Sequence, residues 1–305
     1  MSSPPAFVIY GDMRFTRWRF AGNASSAWAR QALVQQIASE KPDALFLNGD
    51  LPYRGADFGD YEVFEKETRI WRELSLRLYP VLGNHEFYNR DLLVSRGRGL
   101  ANWWKEFPVV KGLEWYSVQL GDHVYVLCLD SNFGALQAGG PQRVWLERQL
   151  SDLLDSIDYV FFVLHHARAG DYLESGSGGF DRNANEDDLE IYLEHLERRS
   201  HARFVVVAGH DHNYGRMERN GVVYIVSGGG GAHPVIFRRQ REDSFKGKDL
   251  MSGGKPLPNY HYIKFVLGSN LLTSTMVRIS NPEAGHGATW DSPDKFVITP
   301  HTKVH

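Results

Sequence analysis

The sequence predicts an α/β domain in which a mixed sheet, or two packed sheets, carries helices on the outside. Three observations lead there. Short apolar, β-branched runs alternate with amphipathic helical segments early in the chain. Hairpin signals appear in the middle and again near the end. Neither an internal repeat nor an interdomain linker is visible, so residues 1–305 read as one domain.

The elements follow in order. Residues 7–10 are strand-like. A helix is expected over 24–40, capped by Ser25 or Ser26, with Trp28, Leu33 and Ile37 on one face and Lys41-Pro42 as its stop. Residues 44–47 form the next strand. A helix over 60–77 should bury Phe64, Ile70, Trp71 and Leu74, and 79–82 is a shorter strand. Residues 115–120 and 123–129 make a hairpin about Gly121-Asp122. Pro141 opens a helix over 141–154 that should turn Val144, Trp145, Leu146, Leu150 and Leu153 inwards. Strands at 161–164 and 204–207 flank a helix over 185–199, and a last hairpin joins 261–267 to 271–279. Residues 169–184 and 238–258 read as long loops, each just after a motif-bearing strand, where functional lids are common.

Bulk properties exclude several classes. The net charge of −3 gives no general attraction to nucleic acid or acidic membrane surfaces, so neither is expected as main partner. The lone Cys128 cannot form an intrachain disulfide and, inside an apolar run, reads as a buried thiol. No signal-peptide pattern and no apolar stretch of membrane-spanning length is visible, so the expectation is a cytoplasmic protein.

Function is written in five short clusters, each placed after an apolar run. They are Gly11-Asp12-Met13-Arg14, Gly49-Asp50-Leu51-Pro52-Tyr53, Gly83-Asn84-His85-Glu86, His165-His166 and Gly209-His210-Asp211-His212. A buried strand that ends in a carboxylate, amide or imidazole delivers that group to the sheet rim, where open α/β folds bind ligands. Five such deliveries would converge on one spot. The set is oxygen and nitrogen without thiolate, which suits iron, manganese or zinc rather than a structural zinc finger. Asp50 is the natural bridge, since a carboxylate can be shared between cations roughly 3.5–4 Å apart. The glycine before Asp12, Asp50, Asn84 and His210 is expected to let the backbone turn sharply there.

In this order the motifs resemble the calcineurin-like metallophosphoesterase superfamily, and the Gly-Asp-x-x-Tyr of residues 49–53 is similar to that of purple acid phosphatases. The resemblance covers about residues 6–235 and implies a four-layer α/β/β/α sandwich. It also implies two metal ions, iron paired with iron, manganese or zinc. The first would take Asp12, Asp50, Tyr53 and His212, and the second Asp50, Asn84, His165 and His210. His165 is the ligand of the histidine pair because Ala167 stands where the family usually has proline, two residues after its ligand. His166 becomes a supporting or substrate-facing group. His85 would protonate the leaving alcohol, with Glu86 holding its ring.

Arg14 departs from the superfamily pattern, which has histidine there, and from purple acid phosphatases, which have glycine. Arginine stays protonated and cannot ligate. It reads either as an ion pair at the strand end or as a guanidinium aimed at phosphate. The implied activity is hydrolysis of small-molecule phosphomonoesters by direct attack of metal-bound hydroxide. A phosphodiesterase is the alternative within the family. A non-catalytic scaffold is the alternative from another class, favoured only by the missing histidine.

Overall fold

The computed structural model describes residues 5–18, 25–166, 185–233, 259–269 and 271–301. Strand β1 (Ala6–Tyr10) shows how the layers arise from period-two alternation. Phe7 and Ile9 enter one core, while Val8 and Tyr10 enter another. In the same sheet β1 pairs parallel with β2 (Ala44–Leu47), which pairs parallel with β3 (Leu78–Pro80). On its other side β1 pairs antiparallel with β10 (His261–Leu267), followed by β11 (Leu272–Ile279). The short β12 (Trp290–Asp291) and β13 (Lys295–Ile298) both pair with β11.

The second sheet runs β4 (Tyr116–Leu120), β5 (Val124–Cys128), β6 (Tyr159–Val163), β7 (Arg203–Ala208), β9 (Val222–Ser227) and β8 (Tyr214–Arg219). Its four central strands are parallel, and both edge strands are antiparallel to their neighbours. Phe7, Ile9 and Phe46 of the first sheet pack against Val126, Phe161 and Val205 of the second. The Phe7 ring meets Phe161 edge-on at 5.0 Å and stacks on Phe265 at 5.0 Å.

Helices cover both outer faces. Leu33 and Ile37 of α1 (Ala27–Glu40), Phe64 of α2 (Phe58–Glu67), Trp71 of α3 (Arg69–Glu73) and Trp103 of α4 (Arg96–Glu106) share a core with Val8, Tyr10, Leu45 and Leu47. Leu146 of α5 (Pro141–Ser151) and Leu193 of α6 (Asn185–Glu197) pack on Leu127, Phe162 and Val206. The four-layer sandwich is therefore as expected, both hairpins form, and Cys128 is buried. Among the described residues no helix is long and apolar enough to cross a membrane.

Several local expectations fail for identifiable reasons. The helix expected over 60–77 is interrupted at Thr68, where the Phe64 carbonyl accepts both the Thr68 hydroxyl at 2.6 Å and its backbone N–H at 2.9 Å, a back-bonding that bends helices. Leu74 is consequently past the end of α3 and exposed. Val144 lies on the outer side of α5, with Leu146 facing inwards. Helix α4 was hidden by Gly97 and Gly99; a Cβ on Gly99 would lie 2.5 Å from the Glu86 carbonyl oxygen. Strand β8 was hidden by its polar composition. The two long segments read as loops lie outside the described residues.

Candidate metal centre

All five clusters stand at the C-terminal ends of parallel strands: β1, β2 and β3 in one sheet, β6 and β7 in the other. The sharp turn falls on the candidate ligands themselves. Asp12 (φ 59), Asp50 (φ 53) and His210 (φ 69) are left-handed, a region Asp and His tolerate better than most residues. Of the preceding glycines, Gly49 (φ 94) itself takes a turn conformation that favours glycine, whereas Gly83 and Gly209 serve close packing, since a Cβ on Gly83 would stand 2.4 Å from Asp50 Oδ1 and one on Gly209 2.4 Å from Asp12 Oδ2. Arg14 is also left-handed (φ 50), at a cost on the order of 1–3 kcal/mol. Its N–H donates to the Asp50 carbonyl at 3.0 Å and its own carbonyl accepts the Ser25 hydroxyl at 3.1 Å.

Asp12 and Asp50 are fully buried. Asp12 accepts the His210 backbone N–H on both oxygens at 3.1 Å, and His212 Nε2 lies 3.6 Å from its Oδ1. Asp50 Oδ1 accepts the His85 N–H at 2.9 Å and lies 3.1 Å from His165 Nε2, while Oδ2 accepts Arg14 Nη2 at 3.2 Å. Asn84 Oδ1 faces His165 Nε2 at 3.1 Å and His210 Nδ1 at 3.2 Å. Backbone carbonyls fix two rings: His165 Nδ1 donates to Asn48 at 2.9 Å and His212 Nδ1 to His233 at 2.8 Å. Such bonds aim the opposite Nε2 at the centre of the site. The Asn48 and His233 roles were not legible in the sequence, because backbone carbonyls carry no residue signature.

Ligand-type atoms of Asp12, Asp50 and His165 lie within 4.8 Å of one another, as do those of His165, His166 and His210. Hydrogen bonds and close approaches thus link every predicted ligand except Tyr53, whose ring stands beside that of His85 at 5.2 Å between centroids. Tyr53 contributes its carbonyl, which accepts His85 Nδ1 at 2.7 Å. Glu86 does not hold the His85 ring, contrary to expectation. Its carboxylate accepts three backbone N–H groups, from Gly83 at 2.7 Å, Leu51 at 2.9 Å and Asp50 at 3.1 Å, and so braces two ligand-bearing turns.

Electrostatics suit a cation site. Burial pushes the Asp12 carboxyl up to about 7. Burial acts on Asp50 too, but the charges of His165, His85 and Arg14 override it and hold the group well below the usual range. His165, which burial alone would lower, is raised to about 10 by Asp50. A proton on His165 thus stands where a cation would neutralise the carboxylate. Burial and the His165 charge push His210 down to about 3, and burial likewise lowers His166 and His212. Burial and Arg14 lower His85 to about 4. The Nε2 atoms of His166 and His212 are buried with no partner among the described residues. Two buried carboxylates, the Asn84 amide oxygen and the neutral imidazoles of His210 and His212, the latter with an unpartnered Nε2, form with His165 a donor set that fits a pair of divalent or trivalent cations.

Residues 6–229 match the model of the calcineurin-like phosphoesterase family. Comparison with curated proteins found no match. Among solved structures the chain is similar to the purple acid phosphatase PPD1 of yellow lupin (Lupinus luteus) seeds, with a TM-score of 0.74 and 18% identity. That alignment covers 99% of this chain but 55% of the lupin chain, so the chain spans little more than half of that relative. A dimetal phosphatase from Danio rerio is similar at a TM-score of 0.58 and 13% identity, covering 98% of this chain and 100% of that one. GAP50, the anchor in the inner membrane complex of Plasmodium, is similar at 0.54 and 14% identity, covering 99% and 90%. At these identities the likenesses concern the fold.

Proposed function

The chain belongs to the calcineurin-like phosphoesterase family, and on that premise we propose that it is a dinuclear metal-dependent phosphatase acting on small-molecule phosphomonoesters. The observation that carries the reading is the convergence of Asp12, Asp50, Asn84, His165, His210 and His212, with the unpartnered Nε2 of His212 3.6 Å from Asp12. Asp12, Asp50 and His212, with the Tyr53 hydroxyl, would hold one cation. Asp50, Asn84, His165 and His210 would hold the other. When bound, the two cations supply a water acidified to near neutrality and neutralise phosphoryl oxygens.

The chain's own groups do the rest. Asp50 stands between the two donor sets, with one oxygen 3.1 Å from His165 and the other on Arg14. Its N–H and that of Leu51 are pinned by Glu86, so the carboxylate is pre-positioned. His85 gives its Nδ1 proton to the Tyr53 carbonyl and turns Nε2 toward the site, 3.9 Å from Asp50 Oδ2. To donate to a leaving alkoxide it must carry a second proton on Nε2, which burial and Arg14 oppose by lowering the ring to about 4 and which the negative charge of a bound phosphate ester would favour. Arg14 offers a guanidinium 18% exposed, the geometry for bidentate contact with nonbridging oxygens once it leaves Asp50.

The test joins metal analysis to turnover. Purified protein loaded with Fe, Mn or Zn should hold near two equivalents and hydrolyse an aryl phosphate faster than its bis-aryl diester. A much faster diester would make it a phosphodiesterase. One observation favours the non-catalytic reading, namely that the Arg14 guanidinium already neutralises part of the Asp50 charge. Protein that retains no transition metal would establish that reading.

A further inference from the structure

Beside the Asn84 half of the metal centre lies a recess of about 60 Å³, lined by Asn84, Ser131, Asn132 and His166 together with Tyr88, Val94 and Phe133. Exposure orders these groups. Ser131 and His166 are buried and form the floor, whereas Val94 and Phe133 are 57% and 56% exposed and form the rim.

The floor carries an unsatisfied donor. Ser131 Oγ accepts the His166 backbone N–H at 2.9 Å and lies 2.9 Å from His166 Nδ1. Giving the hydroxyl proton to Nδ1 satisfies both groups and leaves the ring proton on Nε2. That Nε2 is buried and has no partner among the described residues. A protonated Nε2 cannot ligate a metal, and a buried N–H left alone is unfavourable until an acceptor arrives.

The walls are apolar and braced. Phe133 sits at φ 53, a costly conformation for a bulky residue, and is fixed edge-on to Phe87 at 5.0 Å. Across the recess the Tyr88 ring packs edge-on to His85 at 4.9 Å, and its hydroxyl accepts Asn84 Nδ2 at 3.4 Å. Val94 is bridged to Tyr88, and Asn89 Oδ1 closes that turn by accepting the Asp91 and Leu93 N–H groups at 2.9 and 3.0 Å. A strained, half-exposed phenylalanine and an exposed valine on a tight turn contribute little to any core. They are placed to flank an apolar group above a polar floor.

We propose that this recess is a leaving-group subsite that selects phosphomonoesters of alcohols with an aromatic body, the ring lying between Tyr88, Val94 and Phe133 and His166 Nε2–H donating to an ester or phosphoryl oxygen. This rests on the phosphomonoesterase reading above.

The test compares 2-phenylethyl phosphate with ethyl phosphate, whose leaving alkoxides are intrinsically similar. It also compares the binding of the matching phosphonates to metal-loaded protein by calorimetry. The wild type should favour the phenyl member at least about tenfold in kcat/KM and in Kd. Phe133→Gly, which suits the left-handed backbone and so preserves folding, should bring both ratios toward one, and Phe133→Leu should keep part of the preference. Turnover of both esters with no preference overturns the subsite and leaves the phosphatase intact. Phosphonate preference without turnover of either ester overturns the phosphatase reading and retains an aromatic phosphonate site. Equal phosphonate affinities without turnover overturn both.

Discussion

Arg14 Nη2 lies 3.2 Å from Asp50 Oδ2, and the Nε of the same guanidinium is buried without a partner among the described residues. A fixed positive charge therefore sits on the carboxylate that would bridge the cations, on the oxygen other than the one 3.1 Å from His165 Nε2. Like charges a few ångströms apart in a buried site repel by several kcal/mol even at an effective dielectric of about 20. The two cation positions should be unequal.

Titration of metal-free protein with Mn2+ should show one tight and one weaker site. Arg14→Ala should tighten the weaker one by about tenfold. The same variant should weaken inhibition by inorganic phosphate, and Arg14→Lys should restore that only in part, since an ammonium lacks the two-pronged geometry. Two equal sites in the wild type, unchanged by Arg14→Ala, would show that the guanidinium does not oppose the cation.

His85 is testable through the leaving group. His85→Ala should cost on the order of 10²–10⁴-fold on an alkyl phosphate. The loss should shrink on an activated aryl ester, whose leaving oxygen hardly needs a proton. Equal losses on both esters would remove His85 as the acid and leave its ring a positioning role through Nε2, 3.9 Å from Asp50 Oδ2, since the backbone N–H that Asp50 Oδ1 accepts survives the change.

Glu86 braces rather than reacts. In Glu86→Gln one oxygen becomes an NH2 that faces N–H groups of Gly83, Leu51 or Asp50, leaving buried donors unpaired. A loss of about 1–3 kcal/mol is expected, read as a lower Tm, together with weaker metal binding because the Asp50 turn loosens. A variant with wild-type Tm and metal affinity would show that the turn holds without the carboxylate.

Tyr53→Phe separates the hydroxyl from the backbone, because the carbonyl that holds His85 survives the change. Protein loaded with Fe(III) should show a tyrosinate-to-iron charge-transfer band that Tyr53→Phe removes, with the His85-dependent leaving-group pattern retained. A band that persists in the variant would take the hydroxyl off the metal.

The sandwich and the convergence of the five clusters were legible because both are written in local patterns. Runs such as 204–207 announce buried strands, and a ligand-type residue after each run marks the rim. What was not legible depends on contacts between distant segments. The Asn48 carbonyl reaches His165 across 117 positions, and Ser131 meets His166 across 35. Glu86, adjacent to His85 in sequence, turns instead to backbone donors 35 and 36 residues away. Sequence proximity suggested the wrong partner there, because a buried carboxylate goes where several N–H donors converge.

Away from the site, Glu106 at the end of α4 makes a prediction about pH. Burial, reinforced by the nearby Glu65 charge and only partly offset by Arg72, pushes its carboxyl up to about 8. Its Oε1 accepts Arg72 Nη2 at 2.7 Å. In the unfolded chain the group titrates near 4.3, so between that value and about 8 the native state binds more protons than the unfolded one. Stability from this residue must then fall as pH rises across the window and level off above it. Glu106→Gln keeps an acceptor for Arg72 but removes the titration. The Tm of the variant minus that of the wild type should become more positive from pH 5 to pH 8.5. Parallel curves for the two proteins would mean that Glu106 ionises as readily folded as unfolded, with Arg72 sufficient to hold its charge.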